Sequence, residues 1–150
     1  MPWLTAMKLK LNIDDVTEDF FSESRLLGIT ASVKNYRFCW QVNNYLGYNF
    51  RLNPEIEVHL KKKERSYFFP VYEHKVRNSF LSHYLYHNHF DGEYLLPELR
   101  HMDFLWLMKG DYVDDGQCEQ IIKTIKSMSG VQLITELTND MIKNKSHLVF

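Results

Sequence analysis

The sequence predicts an α+β fold: a two-layer sandwich with a mostly antiparallel sheet of about six strands and two main helices on one face. Three observations predict it. Short segments of period-two alternation recur along the chain, as in half-buried strands. Two longer segments, Val33 to Leu46 and the stretch after Asp114, carry apolar residues at helical spacing. The run Phe104-Leu105-Trp106-Leu107-Met108 is apolar on consecutive residues, so it belongs in the middle of a sheet, buried on both faces.

The elements follow in order. Met7, Leu9, Leu11 and Ile13 alternate with polar residues and read as a first strand. Because the pattern starts at Met7, residues 1–6 are expected to be an extension or a disordered tail. Asp14 to Ser24 is acidic and broken, a loop or short helix with Phe20 and Phe21 tucked against the core. The first main helix runs from Val33 to Leu46, with Ser32 as N-cap and Gly47 just past its end. Glu55 to Leu60 and Ser66 to Tyr72 read as a hairpin around the polar turn Lys61-Lys62-Lys63-Glu64-Arg65. Phe80 to Phe90 is a further strand, closed by the turn at Asp91-Gly92.

The central apolar strand ends at Lys109-Gly110-Asp111. Asp114 and Gln117 resemble a capping box, opening a helix in which Cys118, Ile121, Ile122 and Ile125 share a face. Gly130 stops that helix, and Val131, Leu133 and Thr135 begin the last strand. The tail from Asn139 is polar until Leu148-Val149-Phe150, which is expected to dock back.

This order contains two strand–helix–strand crossovers. If both are right-handed, both helices lie on one face, giving ferredoxin-like character and a single domain over residues 1–150. The opposite face is then expected to stay open, with Tyr67, Phe69, Tyr84 and Tyr86 in need of cover.

Composition narrows the function classes. A 150-residue chain with 45% hydrophobic and 25% charged residues is an ordinary globular domain. A chain of this length buries roughly 70% of its unfolded surface, enough to fold without a disulfide or metal. The net charge of −1 lacks the basic excess of a protein that holds nucleic acid through phosphates. Cys39 and Cys118 fall in separate amphipathic segments and read as buried, reduced thiols. No apolar run has the length of a signal peptide or a membrane span, so the expected location is cytoplasmic.

The segment Leu96-Pro97-Glu98-Leu99-Arg100-His101-Met102-Asp103-Phe104 resembles the motif that names the bacterial IPExxxVDY family. Pro97, Glu98 and Asp103 match outright, while Leu96, Met102 and Phe104 replace Ile, Val and Tyr. Leu27-Gly28-Ile29, Tyr36 to Leu46, Ser66 to Tyr72 and Ser129 to Gln132 are also similar, so the resemblance spans nearly the whole chain. It implies a shared fold and a bacterial cytoplasmic setting. The family is named for a motif and brings no activity to carry over.

Read physically, Pro97 suits the first position of a short helical turn, and Glu98 sits where a carboxylate meets unpaired backbone N–H groups. Glu98 and Asp103 could form a general acid–base pair, but turn chemistry alone accounts for both acids, and the motif is read as structural. The sequence His83-Tyr84-Leu85-Tyr86-His87-Asn88-His89 looks like a metal cluster. On a strand, however, His83 and His87 lie about 13 Å apart, too far for one ion held at about 2.0–2.1 Å. Only His87 and His89 could chelate together, and solvent-side histidines on a half-exposed strand are the simpler reading. Lys61 to Arg65 followed by Tyr67-Phe68-Phe69 mixes charge and aromatics as single-strand nucleic-acid surfaces do, yet a solvated hairpin turn needs the same residues.

The functional expectation is a non-enzymatic binding or assembly module, a homodimer or the accessory subunit of a protein partner. No catalytic residue, cofactor, membrane or nucleic acid is assigned to it. The alternative is a small enzyme or metal-binding protein using His87, His89, Glu98 or Asp103. An RNA-associated factor ranks third on charge.

Overall fold

The computed structural model describes residues 13–150. The strand read over Met7 to Ile13 therefore lies outside the described residues, except that Ile13 itself is helical, within α1 (residues 13–20 as described). The chain continues through β1 (Arg25–Ala31), α2 (Asn35–Leu46), β2 (Arg51–Leu52), β3 (Val58–Lys62), β4 (Arg65–Phe69) and β5 (Val71–Lys75). It then forms β6 (Ser82–His87), β7 (His89–Phe90), β8 (Glu93–Tyr94), β9 (Phe104–Lys109), α3 (Asp115–Lys126) and β10 (Val131–Glu136). Short 3₁₀ turns occupy Pro97–Leu99, Asn139–Met141 and Lys145–Leu148.

Successive side chains of a strand point to opposite faces, and β9 uses both. Phe104, Trp106 and Met108 enter one apolar cluster, Leu105 and Leu107 the other. Around it stands a six-stranded antiparallel sheet of order β10-β1-β9-β6-β5-β2. Strands β1 and β6 flank β9, while β9 and β10 flank β1, the split strand–helix–strand arrangement of ferredoxin-like sheets. The segment β2 to β5 is inserted between α2 and β6; β5 and β2 widen the sheet, and β3–β4 forms a separate hairpin.

Both main helices cover one face, completing a two-layer α+β sandwich. Phe38, Cys39 and Val42 of α2 and Cys118, Ile121 and Ile125 of α3 pack on Leu27, Ile29, Leu85 and Trp106. The capping box that opens α3 is present, with Asp114 accepting from the Gln117 N–H and Gln117 from the Asp114 N–H. Gly47 closes α2 in the left-handed conformation, φ 69°. Helix α2 starts two residues later than Val33, with Lys34 and not Ser32 at its N-cap. Ser32 is engaged elsewhere: its N–H donates to the Gly130 carbonyl, and its hydroxyl bonds the Gln132 side-chain amide at 2.7 Å.

The face expected to be open is covered. Leu26, Tyr86, Leu105 and Leu107 lie beneath the β3–β4 hairpin, Phe20 and Phe21, the segment Leu95–Leu99 and the C-terminal tail. Of the four aromatics expected to be exposed, Tyr86 and Phe69 are buried and Tyr67 and Tyr84 half-buried. The tail docks through Leu148, whose carbonyl accepts from the Tyr86 hydroxyl at 2.8 Å, and through Phe150 against Tyr84. Two strands read as continuous are divided. Pro70, which has no N–H to give a ladder, separates β4 from β5, and the chain passes there from the hairpin to the main sheet. Asn88 separates β6 from β7. Among the described residues no helix is long and apolar enough to cross a membrane.

Candidate functional site

Where the C-terminal end of α2 and the first turns of α3 part over the β5–β6 end of the sheet, they leave a cavity of about 640 Å³. Its wall is apolar, from Leu46, Leu81, Val113 and Ile121. Its polar groups are His74, His83 and Tyr48 at the base and Arg77, Gln117 and Gln120 at the rim. No Asp or Glu lines it.

The two histidines are cross-strand partners, because β5 and β6 pair in the register His74↔His83. Their rings stack at 5.7 Å, and the Tyr48 ring lies 4.4 Å from His74 and 4.9 Å from His83. His83 is 1% exposed, and its Nδ1 accepts a hydrogen bond from the Trp106 indole N–H at 3.0 Å. That bond puts the neutral ring's proton on Nε2. Burial, with His74 adding to it, pushes His83 down to about 3, so the ring is neutral at physiological pH. His74 Nδ1 accepts from the Asn49 N–H at 3.1 Å, which puts its proton on Nε2 as well, and burial lowers its pKa too. Among the described residues neither Nε2–H meets a protein acceptor, and Arg77 makes no ion pair. The cavity therefore offers two fixed imidazole donors and no carboxylate, over an apolar wall.

Sequence reading missed this constellation. The available signal was the hairpin itself: counting outward from its Val76–Leu81 connection pairs His74 with His83. The expectation of solvent-side histidines is corrected for His83, because the face of β6 it occupies is the helix-covered one.

The residues singled out in the sequence go to other places. His87 is half-buried, stacks on Phe104 at 5.2 Å, and has a buried Nδ1 without a partner. His89 is exposed and stacks on Tyr94 at 4.4 Å. Among the described residues no three His, Cys, Asp or Glu side chains are placed to hold a metal ion. Glu98 accepts from the N–H groups of Lys143 and Asn144, each at 2.7 Å, and from the Asn144 side chain at 2.9 Å. Asp103 accepts instead from the Ala31 N–H at 2.9 Å, at the end of β1. The two carboxylates thus serve different segments. Pro97 opens its 3₁₀ turn, while Leu96, Met102 and Phe104 are buried.

Compared with known proteins, the chain matches no family model and no curated sequence. The cysteines add no nucleophile: burial pushes Cys39 up to about 12 and raises Cys118. In the basic turn, Lys62 pairs with Glu93 and Arg65 with Asp91, so part of its charge is neutralised within the fold.

Proposed function

We propose that the chain is a non-enzymatic binding module whose small-molecule ligand occupies the cavity between α2, α3 and the β5–β6 strands. One observation carries this reading: two neighbouring imidazoles present N–H donors of fixed tautomer, unpaired among the described residues, to a space whose lining holds no carboxylate. A neutral, buried imidazole far from its titration range orients a ligand and does not shuttle protons near pH 7. An apolar wall with a few convergent polar groups is the usual make-up of a ligand pocket. The buried free thiols support a cytoplasmic setting, and the Leu96–Phe104 segment supports kinship with the IPExxxVDY proteins.

The test is native mass spectrometry of the full chain purified gently from its host, beside Ile121→Trp, which fills the cavity. A small-molecule adduct on the wild type that the variant lacks supports the reading. A bare chain, or an adduct retained by the variant, overturns it. Circular dichroism establishes that the variant folds, and Leu81→Trp replaces it if it does not.

A second reading, assembly with another copy of the chain, is favoured by α2. Tyr36 and Trp40, one helical turn apart, are 64% and 66% exposed on its outer side. Light scattering on wild type and Trp40→Glu tests it: a dimer that the substitution dissociates supports the reading, and a monomeric wild type ends it.

A further inference from the structure

We infer that the ligand of this cavity is an organic carboxylate with an apolar body, its head held by His74, His83 and Arg77 and its body lying on Leu46, Leu81 and Ile121. This rests on the cavity being the binding site, and it adds the ligand's chemical class.

The argument is one of complementarity. His83 is 1% exposed, and its Nδ1 is turned into the core toward Trp106. The ring edge left to the cavity carries the Nε2–H, a donor with no protein acceptor among the described residues. That donor opens onto the cavity, where a ligand acceptor can take the place of water. His74 repeats the arrangement one strand away, with its Nδ1 held by the Asn49 N–H. A carboxylate has two acceptor oxygens, and two donors on stacked rings 5.7 Å apart can address both. Arg77 at the rim supplies the positive charge, and charge-assisted bonds from a guanidinium to a carboxylate are the strong ones. A cationic ligand would meet Arg77 and find no carboxylate in the lining. A fully polar anion would leave the wall formed by Leu46, Leu81, Val113 and Ile121 without an apolar partner.

The experiment compares octanoate, octanol and octylamine on the full chain at pH 7 by isothermal titration calorimetry. The wild type, Arg77→Gln and Ile121→Trp are titrated in parallel. Arg77 is exposed, so its replacement leaves the fold intact. The expected result is octanoate at least ten-fold tighter than either analogue. Arg77→Gln removes most of that preference without changing octanol, and Ile121→Trp abolishes binding of all three. If octanoate and octanol bind alike and both are lost in Ile121→Trp, the carboxylate inference is overturned while the cavity stands as a binding site. If octanoate is preferred but Arg77→Gln leaves the preference unchanged, the assignment of the head group is overturned. If Ile121→Trp leaves the affinities unchanged, the binding reading itself fails. If none of the three binds, the inference is overturned, and the cavity reading is decided by the native adduct alone.

Discussion

The backbone N–H of Leu96 donates to the side-chain oxygen of Asn88 at 2.8 Å, deep enough that both residues are 0% exposed. The same carboxamide donates through its nitrogen to the carbonyls of Leu99 and Met102, each at 2.9 Å. The Asn88 main chain bonds Asp103 and Leu95. One buried side chain thus organises the Leu96–Phe104 segment from beneath. Its replacement strands several main-chain groups in a dry core, each costing about 1–3 kcal/mol. Asn88→Ala is expected to lose about 3 kcal/mol in urea unfolding. Asn88→Asp, which turns an oxygen toward two carbonyls, is expected to lose no less. A wild-type midpoint for either variant would refute this account.

Glu98 ties the same segment to the C-terminal tail. Burial raises its pKa, but the Asn144 side chain and the N–H groups of Lys143 and Asn144 outweigh it and hold the carboxyl below the usual range. The sign follows. The contribution is present above the unfolded value and is lost as pH falls through the folded one. Glu98→Gln is expected to cost about 1 kcal/mol at pH 7. It should speed amide exchange at Lys143 and Asn144, leaving β9 protected. Unchanged exchange in the tail would show that Glu98 does not anchor it.

Gly110, which turns the chain out of β9, sits at φ +100°, and a Cβ there would stand 2.1 Å from the Phe80 carbonyl oxygen. That oxygen belongs to backbone and cannot swing aside. Gly110→Ala is expected to destabilise by about 2 kcal/mol or more, and Asp111→Ala beside it by far less. Equal midpoints for the two variants would contradict the close approach.

What could be read from the sequence was what leaves a periodic or positional trace. The unbroken apolar run of β9, the Asp114–Gln117 capping box and the Gly47 stop each express a local rule, and each is present. Much of the cover over the second face left no such trace. Leu95, Leu96, Leu99 and Ile142 lie in turns and a tail without a repeating period, so nothing local marks them as core, whereas the apolar end at Leu148 is expected to dock and does. The donor pair of the cavity was hidden for a related reason. His83 meets Trp106 and His74 only across strands; the His74 pairing follows once the Val76–Leu81 turn is placed, whereas the Trp106 contact depends on a register between β6 and β9 that composition and spacing do not specify.

The burial of His83 beside Trp106 has a consequence in acid. Folded His83 titrates near 3, displaced chiefly by burial and further by His74, whereas an unfolded histidine titrates near 6.5. Between those values the unfolded chain binds a proton that the folded chain refuses, so stability falls as pH falls from about 6.5 toward 3. The slope from this one group approaches about 1.4 kcal/mol per pH unit. His74 and His87, also lowered by burial, act in the same direction. His83→Gln keeps an acceptor for the indole and removes the titration. The variant is expected to be less stable than wild type at pH 7 but to lose less on going to pH 5. Urea midpoints at the two pH values read the difference. Parallel losses in both proteins would mean that His83 is protonated in the folded state, and the neutral donor assigned to the cavity would go with it.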